Sequence, residues 1–184
     1  SNSIIGTSSY RREYQLKQIR NDLNYKLIRG NVDTRIKKLN DGLYDAIILS
    51  KAGIDSLNLN KQITQEFSVD EIIPSVGQGV IAVQCRKTDH EIHNILNKIN
   101  DEETNVCVKA ERELLKTLEG DCNTPIGAIS ILNENFITLS AELFSVDGKN
   151  RYFMRDAKNL NLAKELGSEI GESLKKKSKG SYKN

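Results

Sequence analysis

The sequence predicts an α/β layer with a parallel or mixed sheet, followed by a small α+β unit with a three-stranded antiparallel sheet. Three observations carry this. Short apolar steps at Ile4-Ile5, Lys26-Leu27-Ile28 and Ala46-Ile47-Ile48-Leu49 alternate with helix-forming stretches, which is the spacing of a parallel sheet. Later strand candidates at Ala128 to Leu132, Phe136 to Leu143 and Arg151 to Met154 follow one another with only turns between them. Between the two runs lies Val76-Gly77-Gln78-Gly79-Val80, whose glycines suit a crossover or hinge.

Each element has a local reason. Gly6-Thr7-Ser8-Ser9 ends the first strand and supplies a hydroxyl N-cap to a helix carrying Tyr10, Tyr14, Leu16 and Ile19. A helix near Val32 to Leu39 is stopped by Asn40-Asp41-Gly42, and another short one begins at Ala52-Gly53-Ile54. Val80 to Cys85 reads as an apolar strand. Ile92, Ile95, Leu96 and Ile99 mark a helical face, as do Val106, Ala110, Leu114, Leu115 and Leu118 between about 102 and 118. Val146-Asp147-Gly148-Lys149 is a turn, a last helix is expected near Leu160 to Leu174, and the lysine-rich run from Lys175 to Gly180 is expected to be a frayed, solvated tail.

At 184 residues the chain can bury a core without disulfides or metal. Its 27 basic and 25 acidic residues leave a net charge of +2, which speaks against a general nucleic-acid binder. No apolar run is long enough for a membrane span and no signal peptide is evident, so the chain reads as soluble and cytoplasmic. Ser1-Asn2-Ser3 looks like a remnant of tag cleavage followed at once by a strand, and the chain is expected to start inside a longer protein.

Arginine is the main unforced signal. Five of the nine arginines, Arg11, Arg12, Arg20, Arg29 and Arg35, fall in the first 35 positions of a lysine-rich chain. A guanidinium is a rigid fork matched to carboxylate or phosphate, so the cluster points to anion recognition. Arg11 and Arg12 also sit at a helix start, where free N–H groups favour an anion, and Arg29 follows a strand end, where α/β sheets place ligands. The plainer alternative is surface ion pairing with Asp22, Asp33 and Asp41, and Arg20, late in its helix, is expected to be a bystander.

The three cysteines, Cys85, Cys107 and Cys122, suit neither a disulfide framework nor a metal motif. Cys85 and Cys107 read as structural. Cys122 lies in the loop Glu119-Gly120-Asp121-Cys122-Asn123-Thr124-Pro125, between a strong helix and a strand, where reactive groups are displayed. His90 and His93 have no third ligand and read as solvated, and no metal site is expected.

Five segments together, Ile5 to Arg12, Ile28 to Arg35, Tyr44 to Leu49, Pro74 to Gly79 and Glu119 to Gly127, resemble the porphobilinogen deaminase (hydroxymethylbilane synthase) family in order and spacing. The resemblance implies a periplasmic-binding-protein-like second domain at residues 4–70. It further implies a crossover at 71–88 belonging to a first domain, a cofactor-anchoring α+β domain at 89–177, and a tail at 178–184. It implies a transferase of tetrapyrrole (heme) biosynthesis that condenses four porphobilinogen molecules head to tail, with release of ammonia, on a dipyrromethane cofactor. Cys122 matches the cysteine that holds this cofactor by a thioether. Arg11, Arg12, Arg29 and Arg35 match the carboxylate-binding arginines, with Thr7, Ser8, Ser9 and Gly30 as neighbours. The family's catalytic aspartate lies in its N-terminal portion, so no catalytic residue is expected in this chain, which is expected to be inactive alone. Asp55-Ser56 follows Gly53-Ile54 where many members carry a further basic residue. An exposed apolar edge is expected around Val80 to Val83, and the parent protein is expected to be a monomer without nucleic-acid or membrane partners. Two other readings are a receptor half that binds dicarboxylates reversibly, without a covalent adduct, and an RNA-associated basic protein.

Overall fold

A computed structural model describes residues 2–183. Strands β1 (Ile4–Gly6), β2 (Asn24–Lys26) and β3 (Ala46–Ile47) form a parallel sheet in the order β2-β1-β3. Helices α1 (Tyr10–Ile19), α2 (Val32–Asn40) and α3 (Lys51–Asp55) connect or follow them. The second strand thus lies slightly before the apolar step Lys26-Leu27-Ile28. Ile28 is nonetheless buried, just past the strand.

After α4 (His90–Leu96) and α5 (Glu102–Thr117) comes an antiparallel meander, β4 (Ile126–Asn133), β5 (Phe136–Phe144) and β6 (Arg151–Asn159), and then α6 (Ala163–Ser178). Strand periodicity places Ile137, Leu139, Ala141 and Leu143 on one face of β5, and all are fully buried. Ala110, Leu114 and Leu118 of the α5 face and Leu166, Ile170 and Leu174 of α6 cover them to make the main core. The two helices approach closely because Gly167 has no side chain: a Cβ there would lie 2.2 Å from the carbonyl oxygen of Ala110. On the opposite face of β5, the ring of Phe144 meets Tyr14 of α1 at 5.7 Å between centroids, joining the two halves.

Two expectations fail. The run at Val80 to Cys85 forms no strand, since no backbone among the described residues pairs with it; a strand exists only as part of a ladder. Its apolar side chains are exposed as expected, Ile81 at 90%. The frayed tail is also absent. Helix α6 runs on through Lys175 to Ser178, and Tyr182 is buried in the main core because its ring completes the apolar cover of α5.

Candidate functional site

The loop Gly6-Thr7-Ser8-Ser9 delivers α1 through its hydroxyls. Thr7 Oγ1 accepts from the Ser9 N–H at 3.2 Å, and the Ser9 side chain caps the helix by accepting from the Arg12 N–H at 3.4 Å. The turn that follows carries Arg11 and Arg12 in adjacent positions. Burial and the neighbouring Arg12 lower the Arg11 pKa to about 10, opposed by the buried carboxylate of Glu142. Arg12 is lowered by burial and then by Arg35. Desolvated cations that repel one another are stabilised by an anion brought among them.

Both guanidiniums are aimed by backbone carbonyls. Arg11 donates to the Ile73 oxygen at 2.5 Å and Arg12 to the Ile48 oxygen at 3.0 Å, each through one nitrogen, so further donors of the fork remain. Gln15, one turn beyond Arg11 on the same face, clasps Ile73 from both sides: its amide donates to the Ile73 oxygen at 2.9 Å and accepts from the Ile73 N–H at 2.6 Å. The adjacent Pro74 oxygen accepts from the Ala128 N–H of β4 at 2.9 Å. Gly127 permits this junction, since a Cβ there would lie 2.9 Å from the Ile73 oxygen. Residues 73–74 therefore tie the arginine helix to the sheet that follows the Cys122 loop.

That loop is rigid within itself. The Asp121 carboxylate accepts from the N–H groups of Asn123 and Thr124 at 2.8 and 3.1 Å, and the Thr124 hydroxyl accepts from the Asp121 N–H at 2.9 Å. These bonds, that to Asn123 first, hold the Asp121 carboxyl below its usual range. Cys122 is exposed on the loop. A cavity of about 480 Å³ separates it from α1, lined among others by Ser8, Ser9, Arg11, Arg12 and Cys122. A nucleophilic thiol and two forked cations thus face one space.

The remaining expected residues fall outside the cavity lining. Thr7 is buried behind it as support. Arg35 approaches Arg12 closely enough to lower it, and its Nε donates to the Gly30 oxygen at 2.7 Å. Arg29 and Gly30 are exposed beyond the end of β2. Arg20 pairs with Asp22 at 2.7 Å, the bystander role expected of it. His93 is half-buried rather than solvated, because Cys85 Sγ lies 3.7 Å from its Nε2; His90 is exposed. Asp55 and Ser56 lie at the end of α3, away from the cavity lining.

Sequence reasoning missed Gln15 and Glu111. Glu111 is a buried carboxylate of α5 that accepts from the N–H groups of Gly77 and Ser130, both at 2.8 Å, and burial raises its pKa. Glu111 was visible only as a polar residue on an otherwise apolar helical face, and Gln15 only as one more polar residue on the face of Arg11. Glu111 lines a second cavity of about 410 Å³ with Cys107, whose thiol is pushed up by burial and by Glu111. No helix among the described residues is long and apolar enough to cross a membrane.

Comparison with known families agrees with the two halves of this geometry. The family described as "Porphobilinogen deaminase, dipyromethane cofactor binding domain" matches residues 1–94, which hold the arginines. "Porphobilinogen deaminase, C-terminal domain" matches residues 105–176, which hold Cys122. Among curated relatives, a porphobilinogen deaminase of Coxiella burnetii (strain RSA 493 / Nine Mile phase I) is 41% identical over 172 residues, 94% of this chain and 56% of the relative. One from Syntrophobacter fumaroxidans is 37% identical over 92% of this chain and 55% of its own length, and one from Exiguobacterium sibiricum 42% over 84% and 51%. The chain spans about half the length of the curated relatives it matches.

Proposed function

Because this chain belongs to the porphobilinogen deaminase family, we propose that it forms the cofactor-holding part of a transferase of tetrapyrrole biosynthesis. In this reading the whole protein condenses porphobilinogen into hydroxymethylbilane. The observation that supports it most directly is the shared cavity: Cys122 on one wall, Ser8, Ser9, Arg11 and Arg12 on the other.

The donor set suits a dipyrromethane. Its pyrrole rings carry acetate and propionate side chains, and a confined polycarboxylate needs several forked donors together with helix N–H groups. When bound, the cofactor supplies the terminal pyrrole carbon at which porphobilinogen units are added with loss of ammonia. Cys122 would hold it by a C–S bond, for which a lone exposed thiol suffices. Arg11 and Arg12 would bind and orient its carboxylates in the cavity they share with Cys122, and Arg35 adds positive charge near Arg12. Arg29, exposed at the sheet end, meets carboxylates farther from the thiol. We further read the parallel sheet as periplasmic-binding-protein-like, residues 71–88 as a crossover to a first domain, and this span alone as inactive for want of the family's aspartate.

The intact mass of the denatured chain, beside that of Cys122→Ala, tests the anchor. An added mass of two condensed pyrrole units on the parent alone is the expected result, and the same addition on Cys122→Ala would refute the assignment. If both masses are bare, the rates at which Cys122 reacts with iodoacetate and iodoacetamide decide. Arginines serving this thiol raise the iodoacetate-to-iodoacetamide ratio above that of a short cysteine peptide, and Arg12→Leu lowers it. A ratio equal to the peptide's favours the reversible receptor-half reading. The RNA reading is weakened in part, since Lys175 of the lysine run pairs with Glu119 and Arg11 and Arg12 line the cavity.

A further inference from the structure

The stem of the Cys122 loop is held from outside by residues that neither the fold class nor the cavity calls for. Helix α5 ends at Leu118, and Glu119 then takes a left-handed backbone with φ of 52°, a conformation that costs a residue with a Cβ about 1 kcal/mol or more. From there Gly120 leads into the self-bonded Asp121 to Thr124 unit, so any play in the stem moves Cys122 as a whole.

The turn after α6 folds back onto this stem. The hydroxyl of Tyr182, which is buried to 3% exposure, donates to the Leu118 oxygen at 3.0 Å. Lys175 Nζ reaches the Thr117 oxygen at 3.5 Å and the Glu119 carboxylate at 3.3 Å, and Lys183 pairs with the other carboxylate oxygen. These groups satisfy carbonyls that a helix end leaves without partners, and they place cations at its negative pole. The turn is itself anchored: the Ser181 oxygen accepts from the Val146 N–H at 2.8 Å, and its hydroxyl lies 3.2 Å from the Tyr152 oxygen.

We propose that Tyr182, assisted by Lys175 and Lys183, is a positioning residue for Cys122, holding the Leu118–Gly120 stem so that the thiol stays at the arginine-lined cavity. This rests on the reading of that cavity given above.

The test uses the full chain with Tyr182→Phe, which keeps the ring in the core and removes only the hydroxyl, alongside Tyr182→Ala and Lys183→Met. Hydrogen exchange of the Gly120 and Asp121 amides is expected to quicken about fivefold in Tyr182→Phe, the worth of one hydrogen bond, while the amides of 137–143 keep their protection. The iodoacetate-to-iodoacetamide ratio at Cys122, measured on chain produced without a porphobilinogen supply so that the thiol is free, is expected to fall toward the peptide value, with Cys85 and Cys107 unaffected. Lys183→Met is expected to lower it less, because that pair lies in solvent. If Tyr182→Ala does not fold, Tyr182→Phe alone decides. Unchanged exchange, or faster exchange with an unchanged ratio, overturns the proposal. A parent chain with no anion preference instead overturns the cavity reading, and shows itself before any substitution at 182.

Discussion

The two halves of the molecule are stabilised by different means. In the second half, strands of eight and nine residues carry alternating apolar side chains into a core sealed by two amphipathic helices, and Leu114, Leu139, Leu143 and Leu166 reach zero exposure. In the first half the strands have two or three residues, α2 buries no side chain, and the arginine helix adds polar contacts with Ile73 to the burial of Tyr14 and Leu16. Non-directional packing gives the second half stability by area, whereas the first joins a smaller apolar core to a few directional bonds. On the proposed reading the cavity admits a polycarboxylate, which such bonds bound better than an apolar face would.

The most severe way to break the comparison is Leu139→Ala, which leaves a cavity in the sealed core. It is expected to cost about 2–5 kcal/mol, read as a lower denaturation midpoint of the antiparallel half. Ile5→Ala, in the thinner sheet, is expected to cost less; an equal loss would mean that the halves share one core.

Next in size is Gln15→Leu. It deprives the buried Ile73 N–H of its acceptor, for about 1–3 kcal/mol, and is expected to free residues 72–74 and α1 in hydrogen exchange while 137–143 stay protected. Loss of protection in both halves would show that the clasp supports the whole molecule.

Acid and base act on the junction through Glu111. Its pKa is raised in the folded protein by burial, so the folded state binds the proton more tightly than the unfolded one. The contribution of this group to stability is present at and below the ordinary carboxylate value and is lost as pH rises through the raised value. Midpoints measured across that window should show a smaller fall with rising pH in Glu111→Gln than in the parent. An identical slope would remove Glu111 as its source.

The smallest effect is expected from Arg20→Ala. Its pair with Asp22 lies in solvent, so neither the thermal midpoint nor the anion preference of Cys122 should move measurably. A change in that preference would place Arg20 among the site arginines after all.

Much of this was legible in the residues. Period-two alternation in 137–143, the 3.6-residue spacing of Ala110, Leu114 and Leu118, the hydroxyl cap before Arg11, and a lone cysteine between a helix and a strand are all local patterns. The resemblance of five ordered segments to one family singled out Cys122 and the arginines. The misplaced features have non-local causes. Val80 to Cys85 has every local mark of a strand and lacks a partner, while Lys175 to Ser178 has the composition of a solvated tail and is retained by Tyr182, buried beside a helix more than sixty residues earlier.

By itself, then, the sequence determined the two classes of sheet, the helices, the family and the residue types of the site, because side-chain periodicity, caps and motif order act between near neighbours. Only the tertiary structure decided that Arg11 and Arg12 share a cavity with Cys122 while Arg29 stands outside it, that Gln15 and Glu111 fasten residues 73 and 77, and that Tyr182 grips the stem of the Cys122 loop. Those relations join positions tens of residues apart, and which distant backbone groups a polar side chain meets depends on how the packed elements come together.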